Sequence, residues 1–272
     1  MDLSFESTRQ FNHNVISGYR DMLISHLTNP RMTGFLLRTI LRFVAAQRKR
    51  DAWAKQGVRV PPMLIYSITK NCNLNCKGCY AKVLHTSKNR DLSPEKFAAL
   101  VDEAACIGVS IMMLAGGEPL MRRELLDVTA KHPSVIFPVF TNGLMLDGER
   151  FEHLKKQKHV IPILSLEGNA LETNARRGEG VFENAKGLIE RLKRNHHLFG
   201  ISITVTRGNF ELVTSKEYVE KLVSLGSKVI FFINYVPVEA GTEDQTLTRP
   251  QIDALVGILE GYRRKYPALF VG

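Results

Sequence analysis

The chain has 272 residues, 44% hydrophobic and 24% charged, with 20 glycines and 11 prolines. That composition excludes a disordered, collagenous or disulfide-scaffold chain and allows one large domain or two small ones. Lysine and arginine number 37 against 27 acidic residues, but residues 1–60 carry ten basic and four acidic side chains while residues 61–272 carry 27 and 23. The excess therefore sits in an N-terminal segment, which is not the footprint of a uniformly basic nucleic-acid binder, and no nucleic acid is expected as a partner.

Residues 1–12 are polar and carry Asp2, Glu6 and Arg9, so they do not read as a signal peptide. The apolar stretch from Phe35 to Ala46 is interrupted by Arg38, Thr39 and Arg42 and is too short and charged to span a bilayer. A cytoplasmic location is the expectation. Residues 17–55 read as helix, broken at Asn29-Pro30. Phe35, Leu36, Leu37, Ile40, Leu41, Phe43 and Val44 form a wide stripe at helical period, with Arg38, Arg42, Arg48, Lys49 and Arg50 around it. Such a helix packs against a main domain; the alternative is weak contact with a membrane surface. The expected division is a basic amphipathic helical extension over 1–60 and a core domain over 61–272, parted at Val60-Pro61-Pro62.

Beyond that point short apolar runs alternate with amphipathic stretches. Strands are expected at Met63–Thr69, Ser110–Ala115, Val135–Phe140, Val160–Leu166, Phe199–Thr206 and Val229–Tyr235. Helices are expected at 93–108, with Ser93 as N-cap, Pro94 at the first position and Gly108 after the end, and then near 122–131, 147–157, 181–195, 215–225 and 249–266. Six strand–helix units in a row describe a parallel α/β architecture. Runs such as Val-Ile-Phe-Phe-Ile at 229–233 suit strands covered on both faces. A doubly wound sheet and an open, incomplete barrel both fit, and both put function on loops at the strands' C-terminal ends.

The unusual residues fall on those loops. Three of the four cysteines, Cys72, Cys76 and Cys79, follow the first strand within eight residues, a pattern that points to a bound metal in a reducing compartment. Cys106 lies among Ala104, Ala105 and Ile107 and reads as a small buried hydrophobe. Three thiolates are one short of a closed structural zinc site or a fully cysteine-ligated cluster, and an open coordination position is what a reactive centre needs.

The CxxxCxxC loop after the first strand resembles that of the radical S-adenosylmethionine (SAM) enzymes. So do Gly116-Gly117-Glu118-Pro119 after the second strand, Thr141-Asn142-Gly143 after the third and Ser165-Leu166-Glu167-Gly168 after the fourth. The resemblance covers residues 63–240 and implies a partial (β/α)6 TIM-like barrel. It implies that Cys72, Cys76 and Cys79 hold a 4Fe-4S cluster whose fourth iron binds SAM. Reductive cleavage of SAM then yields a 5′-deoxyadenosyl radical that abstracts hydrogen from a substrate. Cofactor-binding roles follow for Tyr80, Gly116, Gly117, Glu118, Asn142, Ser165, Arg177 and Thr206: the glycines and Glu118 toward the SAM ammonium, Arg177 toward its carboxylate, with Arg176 as a substitute, and Thr206 toward the ribose.

Glu167 and Tyr235 are substrate-facing candidates by position. Implied partners are a small-molecule or peptide substrate and an electron donor such as flavodoxin or ferredoxin. One departure stands out: where many members carry an aromatic before the third cysteine, this chain has Gly78, and Tyr80 follows instead. That variant is closest to SPASM- or twitch-type members. Their usual C-terminal cysteines do not appear here, and Ala268-Leu269-Phe270-Val271 reads as the start of another strand. Two competing readings are a zinc-binding or non-catalytic metal protein and a SAM-binding activator subunit.

Overall fold

The computed structural model describes residues 30–84 and 91–272. The expected helical turns of 17–29 lie outside the described residues. A long helix α1 (Pro30–Lys55) leads into β1 (Met63–Thr69), α2 (Tyr80–Leu84), α3 (Pro94–Ile107) and β2 (Ile111–Gly116). A 3-10 turn at Pro119–Met121 and α4 (Leu125–Lys131) precede β3 (Phe137–Thr141), α5 (Gly148–Lys155) and β4 (Val160–Leu166). Then come α6 (Ala170–Arg177), α7 (Val181–Arg194), β5 (Gly200–Val205), α8 (Phe210–Val213), α9 (Lys216–Ser224), β6 (Val229–Asn234), α10 (Arg249–Lys265) and β7 (Leu269–Val271).

The seven strands form one parallel sheet in sequential order, and β1 and β7 do not pair with each other. The expected count of six therefore rises to seven, because the terminal apolar run pairs Leu269–Val271 with Val229–Phe231. Side chains from all seven strands line one cavity, so the sheet curls into an open half-barrel. Of the two architectures that periodicity left open, the barrel-like one is present.

Period-two alternation along each strand divides the apolar residues between two cores. Met112, Leu114, Leu164, Ile201, Ile203, Ile230 and Phe232 face the outer helices. Ile111, Met113, Ile161, Ile163 and Phe231 face the lumen, where Met32, Phe35, Leu36 and Phe43 of α1 pack against that inner set. The N-terminal helix thus belongs to the barrel's inner core, while Leu37, Leu41 and Val44 of the expected stripe stay exposed.

Local signals explain the helix boundaries. Ser93 caps α3, accepting from the Lys96 amide at 3.3 Å, and Gly108 ends it in the left-handed region at φ 108°. Cys106 is exposed, contrary to expectation. The core face of α3 runs through Phe97, Val101 and Ala104, and a residue two positions beyond Ala104 turns to the opposite side.

Candidate active site

The loop after β1 is held by backbone and side chain before any cofactor enters. The Lys77 amide donates to the Arg176 carbonyl at 2.9 Å, and Asn142 Nδ2 donates to Asn73 Oδ1 at 2.8 Å. On its other flank, the Gly117 and Glu118 amides donate to the Thr69 and Asn71 carbonyls at 2.7 and 2.8 Å. A methyl on Gly117 would run into the Asn71 carbonyl, and one on Gly116 (φ 120°) into that of Thr69. On the Cβ side both glycines are required by the cysteine loop's own backbone.

Cys72, Cys76 and Cys79 line one cavity, exposed, buried and half-buried respectively. The Leu74 amide points at Cys72 Sγ at 3.5 Å. Burial pushes the Cys72 thiol up, the Leu74 amide pulls it back, and Glu118, Cys76 and Cys79 push it further up. Among the described residues no three His, Cys, Asp or Glu side chains converge on a single metal ion. Three thiols on one loop, one short of a full cysteine set, fit a cluster that keeps one iron open.

The cavity is about 660 Å³ and is lined at this mouth by Tyr80, Gly116, Gly117, Glu118, Asn142, Ser165 and Arg177. Seven of the eight expected cofactor-site residues are therefore brought together with the three cysteines. Thr206 does not line the cavity: its Oγ1 accepts from the Asn209 amide at 3.2 Å in the turn after β5. Thr204, two residues earlier and on the inward side of the strand, lines it instead, with Ser202 and Arg176. Toward the opposite end the walls turn apolar, with Ile111, Ile136, Ile161, Leu198, Val229 and Leu269.

Two buried carboxylates organise the mouth. Glu118, 1% exposed, accepts from Thr141 Oγ1 at 2.8 Å, the Asn142 amide at 2.8 Å and the Leu120 amide at 3.0 Å. Burial pushes its carboxyl up, opposed by those bonds and by Arg177. Glu167, 2% exposed, takes Arg176 Nη1 at 2.6 Å, Arg177 Nε at 2.8 Å and the Thr204 amide at 3.0 Å. It lies beneath the arginines rather than on the cavity wall, which corrects its placement as a substrate-facing side chain. Both guanidiniums thus engage Glu167, and Arg177 also acts on Glu118.

Helix α6, which carries both arginines, was not foreseen from the sequence. Its signal is the capping box of Asn169 and Glu172, whose Oε2 accepts from the Asn169 amide at 2.9 Å. Tyr235 does line the cavity, but its ring lies against Gly78, in the space a side chain there would need.

Residues 66–211, more than half of the chain, match the model of the radical SAM superfamily. The AdoMet-dependent heme synthase of Methanosarcina barkeri is 29% identical over 192 residues, covering 69% of this chain and 54% of that protein. The mycofactocin maturase MftC of Mycolicibacterium smegmatis is 34% identical over 166 residues, covering 58% and 41%. The chain thus spans about half the length of these curated relatives. Streptococcus suis SuiB bound to S-adenosylmethionine superposes with a TM-score of 0.63 at 16% identity, over 89% of this chain and 55% of that one, which speaks for the fold. With its cysteine loop, glycine turn and parallel half-barrel accounted for, the chain belongs to the radical SAM superfamily.

Proposed function

We propose that residues 61–272 form the catalytic core of an enzyme that binds a 4Fe-4S cluster on Cys72, Cys76 and Cys79 and SAM beside it, with residues 1–60 as a packing extension. The observation that carries this reading is the convergence of the three cysteines with the Gly116–Glu118 turn and Arg177 at one mouth of the half-barrel's cavity. When bound, cluster and SAM together supply an electron and a 5′-deoxyadenosyl radical able to abstract hydrogen from an unactivated carbon.

The chain's own residues do the positioning. The Gly116 and Gly117 carbonyls would receive the ammonium group, and a guanidinium of the Arg176–Arg177 pair would hold the carboxylate. Ser165, Thr204 and Asn142 offer hydroxyl and amide groups to the ribose, and Tyr80 flanks the third cysteine. Glu118 ties the ends of β2 and β3 together beside the SAM site. The apolar far end of the cavity excludes water from the radical and favours a substrate with a substantial apolar surface.

Relatives named as a heme synthase and a mycofactocin maturase, and a neighbour solved with the precursor peptide SuiA, support a small-molecule or peptide substrate. A flavodoxin or ferredoxin as electron donor and a cytoplasmic site of action complete the reading. No helix among the described residues is long and apolar enough to cross a membrane. The exposed Leu37, Leu41 and Val44 on α1 give a second, lesser role: weak contact with an anionic membrane surface.

Iron and sulfide analysis of anaerobically purified protein tests the centre. Wild type and Cys106→Ala should carry four irons and four sulfides, the numbers the proposed cluster requires, and the triple Cys72, Cys76 and Cys79 to Ala variant should carry none. One zinc without sulfide would replace the cluster with a zinc site. Dithionite-reduced protein should release 5′-deoxyadenosine from SAM; a cluster without that product would make the chain a binding subunit.

A further inference from the structure

Tyr235 stands one residue past β6, with its amide donating to the Val205 carbonyl at 2.9 Å. The side chain is 5% exposed, and its hydroxyl has no hydrogen-bond partner among the described residues. Buried tyrosine hydroxyls are almost always partnered, because desolvation without a bond is costly.

The ring is pressed onto the cysteine loop. A methyl on Gly78 would meet the phenolic oxygen first, and the Cε2 and Cζ atoms at 2.8 and 3.0 Å. Gly78 lies between Cys76 and Cys79, at φ 60°, and Tyr235 lines the same cavity as all three thiols. The Gly78 carbonyl already receives Arg176 Nη2 at 3.4 Å, and no described acceptor lies within hydrogen-bond reach of the phenol. The orphaned donor is packed against Gly78, in the stretch between Cys76 and Cys79.

We propose that the Tyr235 hydroxyl donates a hydrogen bond to a sulfur of the cluster held by this loop, a cysteine thiolate or a bridging sulfide, and thereby raises its reduction potential. The inference rests on the cluster assignment above. An O–H donor stabilises the more negative, reduced cluster more than the oxidised one, so its removal makes reduction harder. The effect does not require SAM, because the acceptor belongs to the cluster itself.

The test is anaerobic potentiometry, followed by electron paramagnetic resonance, on the cluster-loaded full chain without SAM and then with it. Tyr235→Phe should disfavour reduction by about tenfold, close to 59 mV for a one-electron couple. Biosynthetic replacement of Tyr235 by 3-fluorotyrosine, a stronger donor of nearly the same shape, should shift the potential upward. Opposite signs separate hydrogen bonding from altered packing, and the fluorotyrosine protein decides alone where the Phe variant fails to retain iron. Unchanged potentials in both proteins overturn the proposal, as does a shift seen only with SAM, which would assign the hydroxyl to SAM. Iron and sulfide content measured beforehand keeps failure of the cluster assignment distinct from failure of this one.

Discussion

The Glu118 carboxylate joins two chain segments through three donors: the Leu120 amide after β2, and the Thr141 hydroxyl and Asn142 amide at the end of β3. Both oxygens face donors, so an amide in its place must turn an NH2 group against at least one of them. Glu118→Gln should therefore lower stability by about 1–3 kcal/mol, the cost of buried groups left unpaired, while Thr141→Val costs about 1 kcal/mol. Urea midpoints check both; a neutral Glu118→Gln would return the carboxylate to a direct role toward the SAM ammonium. The motif that carries Glu118 was legible in the sequence, but its bonding was not. A carboxylate after two glycines reads equally well as a ligand group or as a clasp, and only its 1% exposure and its three partners decide.

Helix α1 shows the same division at the level of an element. Its apolar stripe was legible in the periodicity, yet the stripe is wider than the surface it covers. Met32, Phe35, Leu36 and Phe43 fill the inner core, whereas Leu37 and Leu41 remain 48% and 69% exposed. Several of its basic residues serve the packing too. Arg42 donates to the Pro133 carbonyl, Lys49 to that of Ala105 at 3.1 Å, and the buried Arg50 to that of Gly108 and to Ser110 Oγ at 3.0 Å.

Much of the local charge excess is thus spent on tying the helix to the barrel. Removing residues 1–57 would strip the floor from the inner core, so point changes on the exposed side are the cleaner test of membrane contact. Leu37→Ser with Leu41→Asp should leave the thermal midpoint nearly unchanged. It should also abolish salt-sensitive co-sedimentation with vesicles containing phosphatidylserine. A wild-type chain that stays in the supernatant at low salt leaves α1 as a packing element alone.

Across the whole molecule, three buried histidines sit at the N-terminal ends of the central strands: His132 before β3, His159 before β4 and His197 before β5. His197 Nε2 lies 2.8 Å from the Val160 carbonyl, and its Nδ1 has no partner among the described residues. Burial, reinforced by Lys158 and His159, pulls its pKa down to about 4 against the bond to Val160. Burial lowers that of His159 as well, helped by Arg42 and His132 and opposed by its bond to the Thr129 carbonyl.

Below the ordinary imidazole pKa of about 6.5 the unfolded chain takes up a proton that the folded chain refuses. Stability should accordingly fall as pH drops from about 6.5 toward 4, with His197 contributing up to about 3 kcal/mol. His197→Gln, which keeps a donor for Val160 without a titrating ring, should flatten that slope in urea midpoints taken from pH 7 to 4. Parallel slopes in the two proteins would remove His197 from the account.

Composition, strand–helix alternation and four spaced motifs sufficed to specify the family, the parallel sheet and the three thiols, because those signals are local: a loop's spacing and a run's period are readable in the chain itself. Periodicity left a curled and a flat sheet open, and the resemblance pointed to the curled one; the tertiary structure has it, and pairs the terminal apolar run with β6 as β7. It put Thr204 rather than Thr206 at the cavity and exposed Cys106. It also set Tyr235, at the end of β6, against Gly78 of the cysteine loop. Each of these depends on which face of a curved sheet or helix meets a partner distant in sequence, and that geometry exists only after the strands have paired and the sheet has curled.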